Sequence, residues 1–451
     1  MKPLYKKLIL IIGDLFCLLA ALFSELLVRY RTDFTPEILN LHILPFGLLF
    51  FLTIVIFYIF DLYELHKARP GLDFYAALSI ILLSVTLFGA VVFYFLPING
   101  LFPKINLVLT FLLGGIIIVL WRGAFFAAFQ DSIREKIVIL NYNDRLSDFV
   151  MHTAGSAEYD ILLFVETPQA QGNQINIENF SGKYIPASKL SKQKDLKADI
   201  IIIGTKTEDL NEWLPKISAS LGWPRIWDIE TAYDTVMQKI PLACLDVLWF
   251  AKYANDDKKF FERLKRIIDI IFSVIFFVLG IPFFLLICVA IFLEDKGPIL
   301  YRQERVGKNK KIFKLVKFRS MSVNAESDGK ALWARKDDQR ITKVGRIIRA
   351  LHLDELPQLF NILCGDIALI GPRPERPEFV KQLEKEIEFY ENRHLIKPGF
   401  TGWAQIKFRY ARSIDDSRQK YEYDLFYLKN RSLMLDFKIL LKTAQLFFKR
   451  D

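Results

Sequence analysis

IIDIIFSVIFFVLGIPFFLLICVAIFL, Ile267 to Leu293, is an apolar run interrupted at its middle by Gly280 and Pro282. Its length is enough to cross a bilayer core of roughly 30 Å. A proline in the helix interior removes a backbone hydrogen bond and bends the axis. Lys258, Lys259, Arg263, Lys265 and Arg266 precede the run, and Lys296, Arg302, Arg305 and Lys308 follow it. A crossing would leave one of these clusters outside, against the positive-inside tendency. A helix bent at Pro282 that enters and leaves on one face satisfies both, so the sequence predicts a re-entrant membrane helix over 267–293, with an ordinary kinked span as the alternative. Asp269, near its start, is expected to cap the helix or anchor it at the interface.

Upstream lie four more apolar runs, Leu8–Val28, Ile43–Phe60, Leu78–Leu96 and Ile105–Trp121. Each approaches the length of a spanning helix. The first is too long for a cleaved signal peptide and reads as an anchor. With the N-terminus inside, Lys2, Lys6, Lys7, Lys67, Arg69, Arg122, Arg134 and Lys136 fall on the inner side, and only Arg29, Arg31 and Lys104 on the outer. That asymmetry orients the N-terminus inward and makes residues 1–123 a four-helix transmembrane block. Asp14 and Glu25 inside the first span leave a polar pathway open as an alternative role.

Between block and run, KIVILNY (Lys136–Tyr142), DILLFVE (Asp160–Glu166) and DIIIIGT (Asp199–Thr205) read as continuous apolar strands of a parallel sheet. Residues 130–255 are therefore expected to form a Rossmann-like α/β module. The turn after the first strand, NYNDRLSDF, has none of the glycines that let a backbone approach a pyrophosphate. A structural, regulatory or oligomerisation role is expected in place of dinucleotide binding.

The chain has 451 residues, 52% of them hydrophobic and forty of them phenylalanine, with a net charge of +10. That composition excludes an ordinary water-soluble enzyme and makes anionic lipid or phosphorylated substrates the natural partners of the charge. No nucleic-acid-binding signature is present. Cys17, Cys244, Cys288 and Cys364 include no CxxC pair, which argues against a disulfide framework or a zinc site.

Downstream, residues 258–451 concentrate charge and motifs. GPILYRQERVGKNKKIFKLVKFRSM (Gly297–Met321) reads as turn, strand, basic turn, strand, and places Lys317, Arg319 and Ser320 at a strand end, either to hold phosphate or as part of an ordinary solvated basic hairpin. LHLDELPQLFNILCGDIALIGPRPERPEF (Leu351–Phe379) sets Asp354 and Glu355 before a helix expected over Glu355–Cys364, with Pro357 in its first turn and Gly365 just past its end. Asp354 is then a helix cap, a catalytic acid, or both. Prolines around Arg373 suit a guanidinium fixed at low entropic cost. KPGFTGWAQIKFRY (Lys397–Tyr410) suits stacking by Trp403, phosphate contact or plain turn chemistry. In DFKILLKTAQLFFKR, Phe437, Leu440, Leu441, Ala444 and Phe448 share one helical face, for the interface or for core packing.

KFRSM, LDELPQLFNIL, GDIALIGPRPE and KPGFTGWAQ, in that order after a proline-broken apolar helix, resemble the bacterial sugar transferase family of monotopic polyprenyl-phosphate sugar-1-phosphate transferases. The resemblance runs from about Lys258 to the C-terminus, and the four spans with a Rossmann-like module ahead of it resemble the family's larger architecture. It implies an α+β catalytic domain at the cytoplasmic face of the bacterial inner membrane. It further implies transfer of a sugar 1-phosphate from a nucleotide diphosphate sugar, expected to be a UDP-sugar, to a polyprenyl phosphate, expected to be undecaprenyl phosphate, at the start of exopolysaccharide or O-antigen assembly. By the same resemblance Asp354 is the nucleophile and lies close to Mg²⁺, Glu355 assists in acid/base work or orients the metal, and Lys317, Arg319 and Arg373 hold the diphosphate. A homo-oligomer stays open. After the tryptophan many relatives read QVNG, whereas this chain reads Gln405-Ile406-Lys407-Phe408, so the donor sugar is not read from them. A membrane scaffold or regulatory protein with an inactive transferase domain is the alternative.

Overall fold

A computed structural model describes residues 3–63, 68, 70–95, 104–129, 134–154, 156, 158–170, 183–190, 196–254, 258–322, 340–408 and 413–448. Of the residues invoked above, Lys2, Lys67, Arg69 and Tyr410 lie outside this set, as do the side chains of Lys104, Leu441, Ala444 and Phe448. The chain forms two compact units, Met1–Ile229 and Glu230–Asp451.

The first unit opens with four long helices, α1 (Pro3–Tyr30), α2 (Pro36–Ile59), α3 (Leu72–Phe95) and α4 (Lys104–Phe129). The start of α2 is written in sequence: Thr35 accepts a hydrogen bond from Ile38 N–H, and Pro36 takes the first helical position, where a missing N–H is harmless. Phe46, Phe50, Phe57, Phe111 and Phe125 fill the bundle core. Asp14 is no open pathway. Its carboxylate meets Arg122 Nη2 at 2.5 Å, and Arg122 Nη1 donates to the Leu62 carbonyl at 2.5 Å, so one fully buried guanidinium ties α1, α4 and the chain leaving α2 together.

The same unit contains a five-stranded sheet, β1 (Glu135–Leu140), β2 (Tyr159–Glu166), β3 (Lys183–Pro186), β4 (Ile200–Ile203) and β5 (Arg225–Asp228), all parallel in the order β3-β2-β1-β4-β5. This is the doubly wound order expected of a Rossmann-like module. At the carboxyl ends of β1, β2 and β4, where such sheets bind dinucleotides, the Asn141 side chain accepts from Thr167 N–H at 2.9 Å and donates to Thr207 Oγ1 at 3.1 Å. A side-chain network occupies the position of the missing glycine loop.

In the second unit, the first stretch belongs to the C-terminal core, although sequence placed it in the middle module. Ile240, together with Trp249 and Phe250 of α5 (Val247–Ala254), is buried in one cluster with Leu359, Ile362, Trp403 and Tyr421. Then comes α6 (Lys259–Asp295), one continuous helix of 37 residues, about 55 Å long at helical rise, with Pro282 inside it. Five helices among the described residues, α1 to α4 and α6, are long and apolar enough to cross a bilayer. Beyond α6 lie a hairpin of β6 (Leu300–Val306) and β7 (Ile312–Phe318), then α7 (Lys343–Ala350), α8 (Gln358–Cys364), β8 (Ala368–Ile370), α9 (Pro377–Glu386), β9 (Gly399–Thr401), α10 (Trp403–Lys407), α11 (Ile414–Asn430) and α12 (Leu433–Phe448). β6 and β7 pair antiparallel with Tyr301 opposite Lys317, and β8 pairs parallel with β9.

Two expectations are corrected here. Asp269 does not cap α6; it lies in the third turn, and its carboxylate accepts from Leu369 N–H of β8 at 3.1 Å, because it faces the free edge of a short strand. On α12 the inward residues are Asp436 and Ile439, while Phe437 is half exposed, because Asp436 pairs with Lys265 at 2.6 Å and accepts from Tyr427 Oη at 2.7 Å.

Candidate active site

β7 delivers Lys317 to the site through an asparagine that sequence reading overlooked. Asn361, buried on α8, accepts from Val316 N–H at 3.0 Å and donates to the Lys314 carbonyl at 2.9 Å and to Asp366 at 3.0 Å. It takes up the edge of the strand as another strand would, and so fixes β7 against α8. Only its place one turn into an otherwise apolar helix could have flagged it.

The acidic pair sits in a turn. His352, at φ +54°, breaks the chain out of α7 into a single 3₁₀ turn over Leu353–Glu355, and α8 begins at Gln358 after Pro357. The expected start at Glu355 is three residues early, and Asp354 is not the cap of α8, whose N-terminus has no side-chain capping bond. Gly365, at φ +88°, ends α8 as the sequence indicated.

Within this turn the two acids differ. Glu355 Oε1 receives Arg373 Nη2 at 2.6 Å and Lys317 Nζ at 3.2 Å. Burial alone would raise the Glu355 carboxyl, but Arg373 and Lys317 outweigh it and hold it far below the usual range. Asp354 is 8% exposed, and its carboxylate has no hydrogen-bond partner among the described residues. Burial first and the Glu355 charge second push its carboxyl upward, against Lys317, Arg349 and His352. Two adjacent carboxyls pushed in opposite directions suit two different tasks. Lys317 is lowered by burial, with Glu355 opposing, and Arg373 is raised by Glu355.

The other candidates lie elsewhere. Arg319, one residue past the end of β7, ion-pairs with Asp295, the last residue of α6, and not with Glu355. Pro282 lies inside α6, two turns or fewer from Phe277 and Phe284, whose rings contact each other at 5.4 Å. Trp403 is not free to stack a base: it is 1% exposed, stacks on Phe426 at 5.5 Å, and donates to the Gln238 carbonyl at 2.9 Å.

α6 is built into the site. Arg266 donates to the carbonyls of Ile362 and Leu363 at 2.5 and 2.7 Å and so satisfies the C-terminal end of α8. At its other end Glu294 accepts from Lys343 N–H at 2.7 Å, and Ile287 and Ile291 pack with Phe318 and Ile348.

The family model for bacterial sugar transferase matches residues 260–450. The chain is 49% identical over 182 residues to a UDP-N-acetylgalactosamine-undecaprenyl-phosphate N-acetylgalactosaminephosphotransferase of Aeromonas hydrophila, covering 40% of this chain and 43% of the relative. It is 42% identical over 182 residues to a UDP-glucose:undecaprenyl-phosphate glucose-1-phosphate transferase of Klebsiella pneumoniae, covering 40% and 39%. These matches span less than half the length of either relative. A shorter protein of Bacillus subtilis, named as a putative undecaprenyl-phosphate N-acetylgalactosaminyl 1-phosphate transferase, is 46% identical over 150 residues, which are 33% of this chain and 78% of that protein. With the motif order, the acidic turn and this coverage together, the chain belongs to the bacterial sugar transferase family.

Proposed function

We propose that the protein transfers a sugar 1-phosphate from a nucleotide diphosphate sugar to a polyprenyl phosphate, through a covalent intermediate on Asp354. The observation that carries this reading is the contrast within the acidic turn: Glu355 is held by Lys317 and Arg373, while Asp354 beside it has no hydrogen-bond partner among the described residues. The names of the relatives support the substrate classes, a UDP-sugar and undecaprenyl phosphate, and differ in the sugar, N-acetylgalactosamine or glucose.

In the first step an Asp354 oxygen attacks the phosphorus that bears the sugar. The phosphoanhydride bond breaks, and the nucleoside monophosphate leaves with its electron pair. In the second step an oxygen of the polyprenyl phosphate attacks the same phosphorus, and the Asp354 carboxylate departs. Glu355, kept ionised by two cations, is poorly suited to carry a proton; it holds Lys317 and Arg373 in place toward the diphosphate. Arg319, paired with Asp295, contributes to this set only if that pair opens.

Mg²⁺ fits the donors present. No group of three or more His, Cys, Asp or Glu side chains gathers among the described residues, and Mg²⁺ commonly takes one or two carboxylates plus substrate phosphates. Asp354 would hold it, and the ion would offset charge on the phosphoryl oxygens.

The attachment of both ends of α6 to one extramembrane domain supports re-entry, since a crossing would separate those ends by the bilayer thickness. On this reading the catalytic domain lies on the cytoplasmic face of the bacterial inner membrane. Cysteines placed at Lys258 and Ile299 are expected to be labelled from the same side, and labelling from opposite sides would refute re-entry.

The transferase reading is tested by incubating membranes containing the full chain with labelled UDP-sugars and undecaprenyl phosphate. Lipid-linked sugar phosphate and released UMP are expected, and Asp354→Asn is expected to abolish both. Full activity in that variant would overturn the nucleophile assignment.

A further inference from the structure

The segment carrying Arg373 is tied down carbonyl by carbonyl. The Pro372 carbonyl accepts from Gly399 N–H at 2.8 Å, the Arg373 carbonyl from Arg393 Nη2 at 2.8 Å, the Pro374 carbonyl from Arg305 Nη1 at 2.9 Å, and the Glu375 carbonyl from Val306 N–H at 3.0 Å. On the near side, Gly371 N–H donates to the Thr401 carbonyl at 2.8 Å, and a Cβ at Gly371 would stand 2.4 Å from the Lys397 carbonyl oxygen. Pro372 and Pro374 are buried and Arg373 and Glu375 half-buried, so protein donors rather than water satisfy these four consecutive carbonyls, and each donor fixes a point of the segment.

Two of those donors are guanidinium groups, and one is itself fixed from behind. Arg393 Nε lies 2.7 Å from Asp424 Oδ2, and both side chains are only 3% exposed. Asp424 is on α11, as is Lys420, which pairs with Glu375 at 2.7 Å. Arg393 thus uses one edge of its planar fork on the acid and another on the backbone of Arg373. Lysine, with a single point charge, cannot reproduce that geometry.

We infer that Arg393, braced by Asp424, is a positioning residue for Arg373, holding its backbone so that the guanidinium is delivered to Glu355 and the donor diphosphate. Arg305 performs the same service one residue further along. This rests on the transferase reading and extends the site to residues that touch neither substrate nor the acidic pair. Preorganisation of this kind lowers the ordering cost of binding and keeps a reacting group within tenths of an ångström of its place.

The test is a double-mutant cycle on the full chain in membranes, reading kcat/KM for UDP-sugar with undecaprenyl phosphate as acceptor, with thermal melting of the purified protein alongside. Arg393→Lys is expected to lower kcat/KM roughly 10- to 100-fold in the wild-type background. In an Arg373→Ala background the same change should lower it by less than about threefold, because the group it positions is gone. Equal losses in both backgrounds, or a wild-type rate in Arg393→Lys, would overturn the positioning role. Should Arg393→Lys fail to accumulate in the membrane, Arg305→Lys is judged by the same criterion: a loss that vanishes without Arg373 sustains the inference, and a loss that persists overturns it. Wild-type membranes that form no lipid-linked sugar overturn the transferase reading and the positioning role with it. An active wild type with additive losses overturns the positioning role alone.

Discussion

Arg373 Nη2 lies 2.6 Å from Glu355 Oε1, the same oxygen that Lys317 approaches at 3.2 Å. Two cations on one carboxylate oxygen make Glu355 the electrostatic hub of the site. Glu355→Gln should therefore leave both cations without their counter-charge, reduce turnover by roughly 100-fold, and lower stability by about 3 kcal/mol or more. Steady-state kinetics and urea unfolding of the same preparation check the two effects together; a variant impaired in neither would contradict the assignment.

Asp354→Asn should behave in the opposite way on stability. A buried carboxylate without hydrogen-bond partners among the described residues is itself destabilising, so its neutral isostere is expected to keep or raise the melting temperature while activity disappears. A melting temperature lowered by several degrees would show that the carboxylate has a structural task.

Asn361→Ala removes two hydrogen bonds that hold β7 to α8 and a third to Asp366 just past α8. Loss of about 2–4 kcal/mol is expected, since backbone groups of Val316 and Lys314 are left unpaired. Asn361→Asp should recover only the bond from Val316 N–H. Chemical denaturation distinguishes the two, and equal stability of both variants would count against this account.

Acid should destabilise the second unit in two stages. Burial, with the charge of Arg393 beside it, lowers the His394 imidazole to about 4, so between about 6.5 and about 4 the unfolded chain takes a proton that the folded chain refuses. For Glu375, burial alone would raise the carboxyl, but Lys420, Arg393 and Arg305 hold it down at about 2. Its contribution is complete above about 4.3 and is lost as pH falls toward about 2. Melting temperature against pH should flatten in the upper range for His394→Gln and in the lower range for Glu375→Gln; profiles parallel to wild type would refute the pairing.

Arg122→Ala in the membrane block leaves Asp14 buried without its counter-charge and should destabilise the bundle by about 3–5 kcal/mol, whereas the double change Asp14→Leu, Arg122→Leu should restore much of the loss. Detergent-resistant melting of the purified protein reads both.

Much of this architecture was legible in the sequence because it rests on local patterns. Short apolar runs marked the three central strands, Gly365 the end of α8, and the long apolar runs the long helices. The edge strands β3 and β5 escaped notice because KYIP and RIWD are short and partly polar, as edges are. Lys317, Glu355 and Arg373 do converge, whereas the partners of Arg319, Trp403 and Asp269 are set by tertiary packing. Asp295, the Gln238 carbonyl and Leu369 N–H lie 24, 165 and 100 residues away, beyond the reach of any spacing rule.

The hydrogen bonds from Arg266 to the end of α8, and from Leu369 N–H to Asp269, make α6 more than a tether. A protease cut or a truncation before Gly297 would not release a soluble catalytic domain; it would strip the acidic turn of the helix that terminates its neighbour. Ile287 and Ile291 of α6 also pack with Leu353 and Leu356, which flank Asp354 and Glu355, so a change in the bilayer around α6, in thickness, detergent or lipid charge, reaches the acidic turn through packed side chains.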